Sequence, residues 1–261
     1  MSHDSAISEL GKTITVYGRN AVFEALVDGD LHCQRLHWAT SNRPGPATDR
    51  ILSAAQSRQV PIREHSRATL SRISRNGKQD QGVALDIVCK TFAAPADVTA
   101  RLGDEQLVLM ALDGVTNPQN AGMLIRSASA AGVAGIVYPR KGVAAISPLV
   151  IKASAGAVFN APLVPCDSLR PTLKDLQTAG AEIVVLDGRS EESLFAFKPK
   201  GSVIFVLGGE TSGVSASVMA MADRRLSIPM NNGVESLNVA VAGALTGFHG
   251  QLSLANASET L

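Results

Sequence analysis

The run Leu107–Leu112 (LVLMAL) constrains this chain more than any other stretch. Six consecutive apolar residues leave no polar face, which suits a strand covered on both sides in a parallel sheet. The chain beyond it keeps the same grammar. A helix over Ala121–Ala131 precedes the strand GIVYP, and another helix lies within Pro148–Val158. A short strand near Leu163, a helix over Leu169–Ala179, strands EIVVLD and SVIFVL and a helix over Ser215–Ala222 continue it. Strand–helix alternation of this kind predicts an α/β fold: a parallel sheet covered by helices, with ligands at the C-terminal ends of the strands. The chain closes on LSIPMNNGVESLNVAVAGALTGFHG (226–250), a short apolar run, a polar turn and an Ala/Val/Leu-rich helix.

The front of the chain reads differently. Residues 1–14 are polar and are expected to form a loose tail. YGRNAVFEAL (17–26) has helical spacing and is stopped by Asp28, Gly29 and Asp30. RLHWAT (35–40), Pro61–Glu64 and GVALDIVC (82–89) read as strands, and Asp49–Gln59 and Ser66–Ile73 as helices. These form a small α/β domain over 15–90, joined by a linker over 91–105, with Pro95 and Gly103, to a second domain over 106–261.

The 261 residues carry a net charge of only +1, but its distribution is uneven. Eight basic residues between Arg43 and Lys78 (Arg43, Arg50, Arg58, Arg63, Arg67, Arg72, Arg75, Lys78) face two acids, Asp49 and Glu64. From Arg101 onward 12 basic residues face 13 acids. A basic front end fits contact with a phosphate backbone, and equally a solvated helix face.

Other classes fit poorly. No apolar stretch approaches the ~20 residues that span a bilayer. Three dispersed cysteines (Cys33, Cys89, Cys166) without a CxxC pair suit free thiols in a reducing cytoplasm. The five histidines show no metal-ligand spacing, so no metal is expected.

Three loops after strands carry unusual polar residues. In DGVTNPQNAGMLIRSA (113–128), Asn120 stands near a helix start and Arg126 within the helix. LGGETSG (207–213) leaves backbone groups open at Gly208 and Gly209 and brings Glu210 to a helix entrance. Ser236 and Asn238 sit at the mouth of the last helix, where they could cap it or point at a ligand. The glycine pattern is not GxGxxG, which disfavours a dinucleotide fold.

Together and in this order, NPQNAGMLIRSA, LGGETSG and IPMNNGVESLNVAVA resemble the three signature motifs of the SpoU/TrmH branch of the SPOUT RNA methyltransferases. IKASAGAVFNAPLV (151–164) resembles the family's connecting segment, and YGRNAVFEAL with QGVAL its N-terminal RNA-binding domain. The resemblance implies a catalytic domain with a deep C-terminal trefoil knot, S-adenosylmethionine as cofactor and a homodimer through the knotted domain. It also implies methyl transfer to a ribose 2′-hydroxyl in the cytoplasm, in large-subunit ribosomal RNA by the nearest likeness. A transfer-RNA 2′-O-methyltransferase and a non-catalytic ribosome-assembly factor are the rival readings.

Carried over motif by motif, the catalytic set is Asn120, Arg126, Glu210, Ser236 and Asn238. Arg126 would clamp the reacting ribose or its phosphate, with Glu210 holding the arginine and Asn120 and Asn238 orienting the nucleotide. Leu207, Gly208, Gly209, Ile228, Met230 and Leu237 would line the cofactor pocket, bordered by Asp187 and Gly188. Arg43, Arg63, Arg67, Arg72, Arg75 and Lys78 would meet RNA. The chain departs from the family pattern at Asn117, where Asp is usual, at Asp80 in place of His, and at Ala240 in place of Ser.

Overall fold

A computed structural model describes residues 12–258. It divides into two compact units, one ending at Lys90 and the other beginning at Thr91.

The first unit runs β1 (Thr13–Tyr17), α1 (Arg19–Val27), β2 (His32–Ala39), α2 (Pro46–Ser57), β3 (Ile62–His65), α3 (Arg67–Ser74) and β4 (Val83–Val88). The sheet order is β1-β4-β2-β3, with β4 antiparallel to both its neighbours and β2 parallel to β3. Leu36, Leu85 and Ile87 from the strands meet Val22, Leu26, Ile51 and Leu70 from the helices in a core essentially closed to water. Each such aliphatic side chain contributes ~1.5–3 kcal/mol on burial. The expected loose tail ends early: Thr13 and Ile14 pair with Val88 and Ile87, and residues 1–11 lie outside the described range. Alternation along Thr13–Tyr17 buries Ile14 and Val16 and fixes that strand.

One face of this sheet carries a polar chain. His37, 5% exposed, sits 2.8 Å from an Asp86 oxygen through Nε2 and 2.9 Å from His65 through Nδ1. Thr15 donates to the other Asp86 oxygen at 2.7 Å.

The second unit runs α4 (Pro95–Arg101), β5 (Val108–Asp113), α5 (Pro118–Ala131), β6 (Gly135–Pro139), α6 (Pro148–Ala153), β7 (Leu163–Cys166), α7 (Leu169–Thr178), β8 (Glu182–Leu186), β9 (Val203–Gly208), α8 (Ala216–Met219), β10 (Arg224–Leu226) and α9 (Val239–Ser258). Its six strands are parallel in the order β10-β8-β9-β5-β6-β7. Their C-terminal ends therefore open on one edge. The expected linker is not a bare connection. It holds α4, whose Val98 is fully buried in the core beneath the sheet beside Leu109, Val137 and Val164. The helix expected over Ser215–Ala222 shrinks to the single turn of α8, and the short edge strand β10 precedes the last motif.

After β10 the chain leaves the sheet edge. Ser227 donates its N–H to Glu192 and accepts from Leu194, at 2.8 and 2.7 Å. The chain then returns to the middle of the sheet, where α9 packs on α5, β9 and β5. That approach is close: a Cβ added at Gly247 would lie 2.7 Å from the Met110 methyl and 3.0 Å from Ala131. Among the described residues no helix is long and apolar enough to cross a membrane.

Candidate active site

The site begins where β5, β9, β8 and β10 end. After β5, Asn117 caps α5 by accepting from the N–H groups of Gln119 (2.9 Å) and Asn120 (3.3 Å), with Pro118 at the first helical position. The Asn for Asp departure therefore keeps a capping oxygen. The cap turns the Asn120 side chain inward, where it is 7% exposed.

After β9 the chain makes a tight loop against β5. Gly209 donates to the Asp113 carbonyl at 2.8 Å, and an Asp113 carboxylate oxygen accepts from the Ser215 N–H at 2.7 Å. A Cβ at Gly208 would lie 2.2 Å from the Gly213 carbonyl carbon, and one at Gly209 2.2 Å from the Gly114 oxygen. Only glycine fits here, because the obstructing atoms are backbone.

Glu210 leaves this loop to accept a hydrogen bond from the Asn120 amide nitrogen. The Asn120 oxygen in turn accepts from Asn238 Nδ2 at 3.0 Å, and the Asn238 oxygen accepts from the Ala240 N–H at 2.9 Å. Asn238 thus caps α9 and joins the site at once. Glu210, Asn120 and Asn238 form one hydrogen-bonded chain across three loops.

Arg126 is exposed and, among the described residues, its side chain makes no hydrogen bond or ion pair. The expected Glu210–Arg126 contact is absent; Glu210 is committed to Asn120. Six helical positions separate Asn120 from Arg126, which puts them on different faces of α5. Ser236 is exposed and without a hydrogen-bond partner among the described residues.

The remaining loop residues gather at the ends of β8 and β10. Asp187 donates its N–H to Leu226 at 2.9 Å, tying the two strand ends together. Hydrogen bonds from Arg189 to the Asp187 carboxylate hold it below the usual carboxylate range. Gly188 faces Glu235, whose oxygen would lie 3.9 Å from an added Cβ. Ile228, Met230 and Leu237 are half-buried, and among the described residues their backbone N–H groups have no partner. Backbone N–H groups left unpaired in such half-buried residues are suited to a ligand carrying complementary polar edges. Leu207, 2% exposed, packs against Gly243 of α9.

The cysteines stand outside this chemistry. Burial pushes the Cys166 thiol up and the Cys89 thiol up to about 12. Among the described residues no three His, Cys, Asp or Glu side chains are placed to hold a metal ion.

The basic residues of the first unit divide by what they touch. Arg58 is bound to the carbonyls of Ala25 and Leu26 in the last turn of α1 and of Leu31 beyond it, and Arg50 lies over the Phe23 ring at 4.0 Å. Arg67 is exposed and paired with the buried Asp80 at 2.6 Å, so part of its charge is committed within the unit. Arg43, Arg63, Arg72, Arg75 and Lys78 are exposed. Sequence reasoning passed over Arg19, at the start of α1, because it lies outside the basic run.

Comparison with known proteins fits this division. Residues 107–248 match the model of the SpoU rRNA methylase family, and residues 15–91 that of the RNA 2′-O ribose methyltransferase substrate-binding domain. A protein of Mycolicibacterium smegmatis named as an uncharacterized tRNA/rRNA methyltransferase is 32% identical over 236 residues, 90% of this chain and 74% of the relative. Among solved structures, the SpoU methyltransferase AviRb of Streptomyces viridochromogenes, in complex with AdoMet, aligns with a TM-score of 0.63 at 19% identity, covering 98% and 95% of the two chains. An AdoMet-bound rRNA methyltransferase from Sinorhizobium meliloti aligns at 0.60 with 20% identity, covering 94% and 89%. At these identities the structural likeness establishes the fold.

Proposed function

As the chain belongs to the SpoU rRNA methylase family, we propose that it uses S-adenosylmethionine to methylate a ribose 2′-hydroxyl, in large-subunit ribosomal RNA. The observation that carries this reading is the Glu210–Asn120–Asn238 chain, which draws three strand-end loops into one polar surface. Ile228, Met230 and Leu237, whose backbone N–H groups have no partner among the described residues, would take the adenosine of the cofactor. Bound there, the cofactor would supply an already activated sulfonium methyl.

The protein's own task is to align the 2′-oxygen and stabilise charge developing on it. Arg126, exposed and among the described residues without a side-chain partner, is the cation we assign to the reacting nucleotide. An arginine keeps its proton, so it acts as an electrostatic clamp on the ribose or its phosphate. Asn120 and Asn238 fix the loop positions, and Ser236 is free to meet the nucleotide. Leu207, Gly208, Gly209, Asp187 and Gly188 shape the cofactor side of the pocket.

The return of the chain from β10 to α9 is the passage that we read as the knot. Val241, Phe248 and Leu252 form an exposed apolar stripe on α9, 49%, 48% and 64% exposed, which supports a homodimer through this domain. The first unit would recruit RNA through its free basic residues, and the whole reaction would take place in the cytoplasm.

The test is transfer of labelled methyl from S-adenosylmethionine to unmodified ribosomal and transfer RNA, followed by 2′-O-methyl mapping. A single labelled ribose in large-subunit RNA is expected. Label in transfer RNA alone would overturn the substrate, and label on a base would overturn the chemistry.

A further inference from the structure

The loop between β2 and α2 and the first residue of α1 enclose a cleft of about 460 Å³ in the first unit. It is lined by Arg19 and the run from Ser41 to Thr48, which includes Asn42, Arg43, Pro44 and Pro46. No acidic side chain lines it, and two guanidinium groups do. A volume in the range ~300–1,000 Å³ suits a small ligand or one nucleotide of a strand.

The walls are fixed from below. Asp80, fully buried, accepts from Gly82 N–H at 2.9 Å, from Ser74 Oγ at 2.9 Å and from Arg67 at 2.6 Å. This pins the loop ahead of β4, and that loop grips both sides of the cleft. Gln81 accepts the Arg19 N–H through Oε1 at 3.0 Å and Arg19 Nε through its carbonyl at 3.3 Å. Gly82 accepts from Asn42 Nδ2 at 2.8 Å. Thr48, 2% exposed, donates to the Gly45 carbonyl at 2.7 Å, and Pro44 and Pro46 stiffen the same turn.

The two arginines are therefore held differently. Arg19 is half-buried and aimed by Gln81, with both terminal nitrogens uncommitted among the described residues. The Arg43 side chain is exposed and, among the described residues, has no partner. A rigid, acid-free cleft with two planar cations is built for phosphate oxygens, which guanidinium groups take in bidentate fashion.

We propose that this cleft seats a phosphodiester of the RNA substrate, gripped by Arg19 and Arg43, with the adjoining nucleotide against Asn42 and the prolines. The proposal rests on the RNA-methyltransferase reading and adds a defined docking point within the first unit.

The experiment uses the full chain and a 4-thiouridine-substituted transcript of large-subunit ribosomal RNA. After irradiation and digestion, crosslinked peptides are expected to include residues 41–48. In equilibrium binding, Arg43→Ala should weaken affinity about tenfold or more and flatten the salt dependence by about one unit of log–log slope. Arg43→Lys should recover part of that loss. Lys90→Ala, an exposed cation of the same unit outside the cleft, gives the cost of one generic charge. Crosslinks only elsewhere, no crosslink at all, or an Arg43→Ala loss equal to that of Lys90→Ala would overturn the proposal. Binding is read without methyl transfer, so the two readings fail separately. A crosslinked cleft with no transfer would sink the enzymatic reading alone, and transfer with crosslinks elsewhere would sink this one alone.

Discussion

Replacing Asn120 by Asp would change almost nothing in shape and reverse one interaction. Asn120 donates to the Glu210 carboxylate and accepts from Asn238 at 3.0 Å. In Asn120→Asp the acceptor facing Asn238 survives, while the donor facing Glu210 becomes a second negative oxygen. Two unit charges at about 4 Å repel by ~1 kcal/mol in water and ~4 kcal/mol at the effective dielectric of a protein surface. Glu210 is exposed and position 120 is buried, so a value between these limits, ~2 kcal/mol, is appropriate. If that energy opens the Glu210 loop away from α5, kcat/KM falls about thirtyfold. The defect should shrink as the pH is lowered, because a proton shared by the two carboxyl groups removes the repulsion and restores a donor. Asn120→Ala, which adds no charge, should show a defect without that pH dependence. The assay is methyl transfer under kcat/KM conditions from about pH 6 to about pH 9, with thermal unfolding as a control for folding. Activity of Asn120→Asp within about threefold of the native chain at about pH 8 would refute the idea that this bond sets the loop.

Three further outcomes are expected. Arg126→Ala should lose most of kcat yet leave the calorimetric affinity for S-adenosylmethionine within a few fold; equal loss of both would place the arginine in the cofactor pocket. Gly208→Val should abolish cofactor binding, since even a Cβ would lie 2.2 Å from backbone; retained affinity would mean the loop is not part of the pocket. On acidification, the first unit should lose stability in two stages. Burial, with the charges of His37, Arg63 and Arg35, holds His65 below its ordinary value, so its contribution is present above ~6.5 and is lost as the pH falls through its lower folded value. Burial pushes the Asp86 carboxyl up, but hydrogen bonds from His37 and Thr15 outweigh it and leave it lowered. Its contribution is therefore present above ~3.9 and is lost below. Denaturant midpoints of the full chain that stay flat or rise from about pH 7 to about pH 3 would contradict both signs.

The alternation of strands and helices was legible because each buried strand is an apolar run, as in LVLMAL and SVIFVL, and the helices between them have turn or capping residues. β10 was not legible. Its three residues, Arg224–Leu226, include two exposed arginines, and its pairing with β8 is a tertiary fact. The segment 91–105 read as a linker from Pro95 and Gly103, yet Val98 and Leu102 reach the core of the second unit, with Ala93 packed against it. In the site, the sequence named Asn120, Glu210 and Asn238 but not their order of bonding, because partners 90 and 118 residues apart leave no local trace. Nor does local pattern show that Glu210 bonds Asn120 rather than Arg126. Helical geometry alone separates positions 120 and 126 by about a third of a turn. Arg19 escaped notice because its role depends on Gln81 and Asn42, which only the folded loops bring beside it.

Asn238 gives the last helix a property beyond packing. Its side-chain oxygen closes the first turn of α9, and its side-chain nitrogen belongs to the polar chain of the site. Ordering the helix start and ordering the site are therefore a single equilibrium. Whatever tightens the contact with Asn120 also withdraws the Ala240 amide from exchange with solvent. By reciprocity, weakening the turn loosens the site by the same free energy. The amide hydrogens at the head of α9 thus act as a built-in gauge of occupancy, readable before any RNA substrate is in hand.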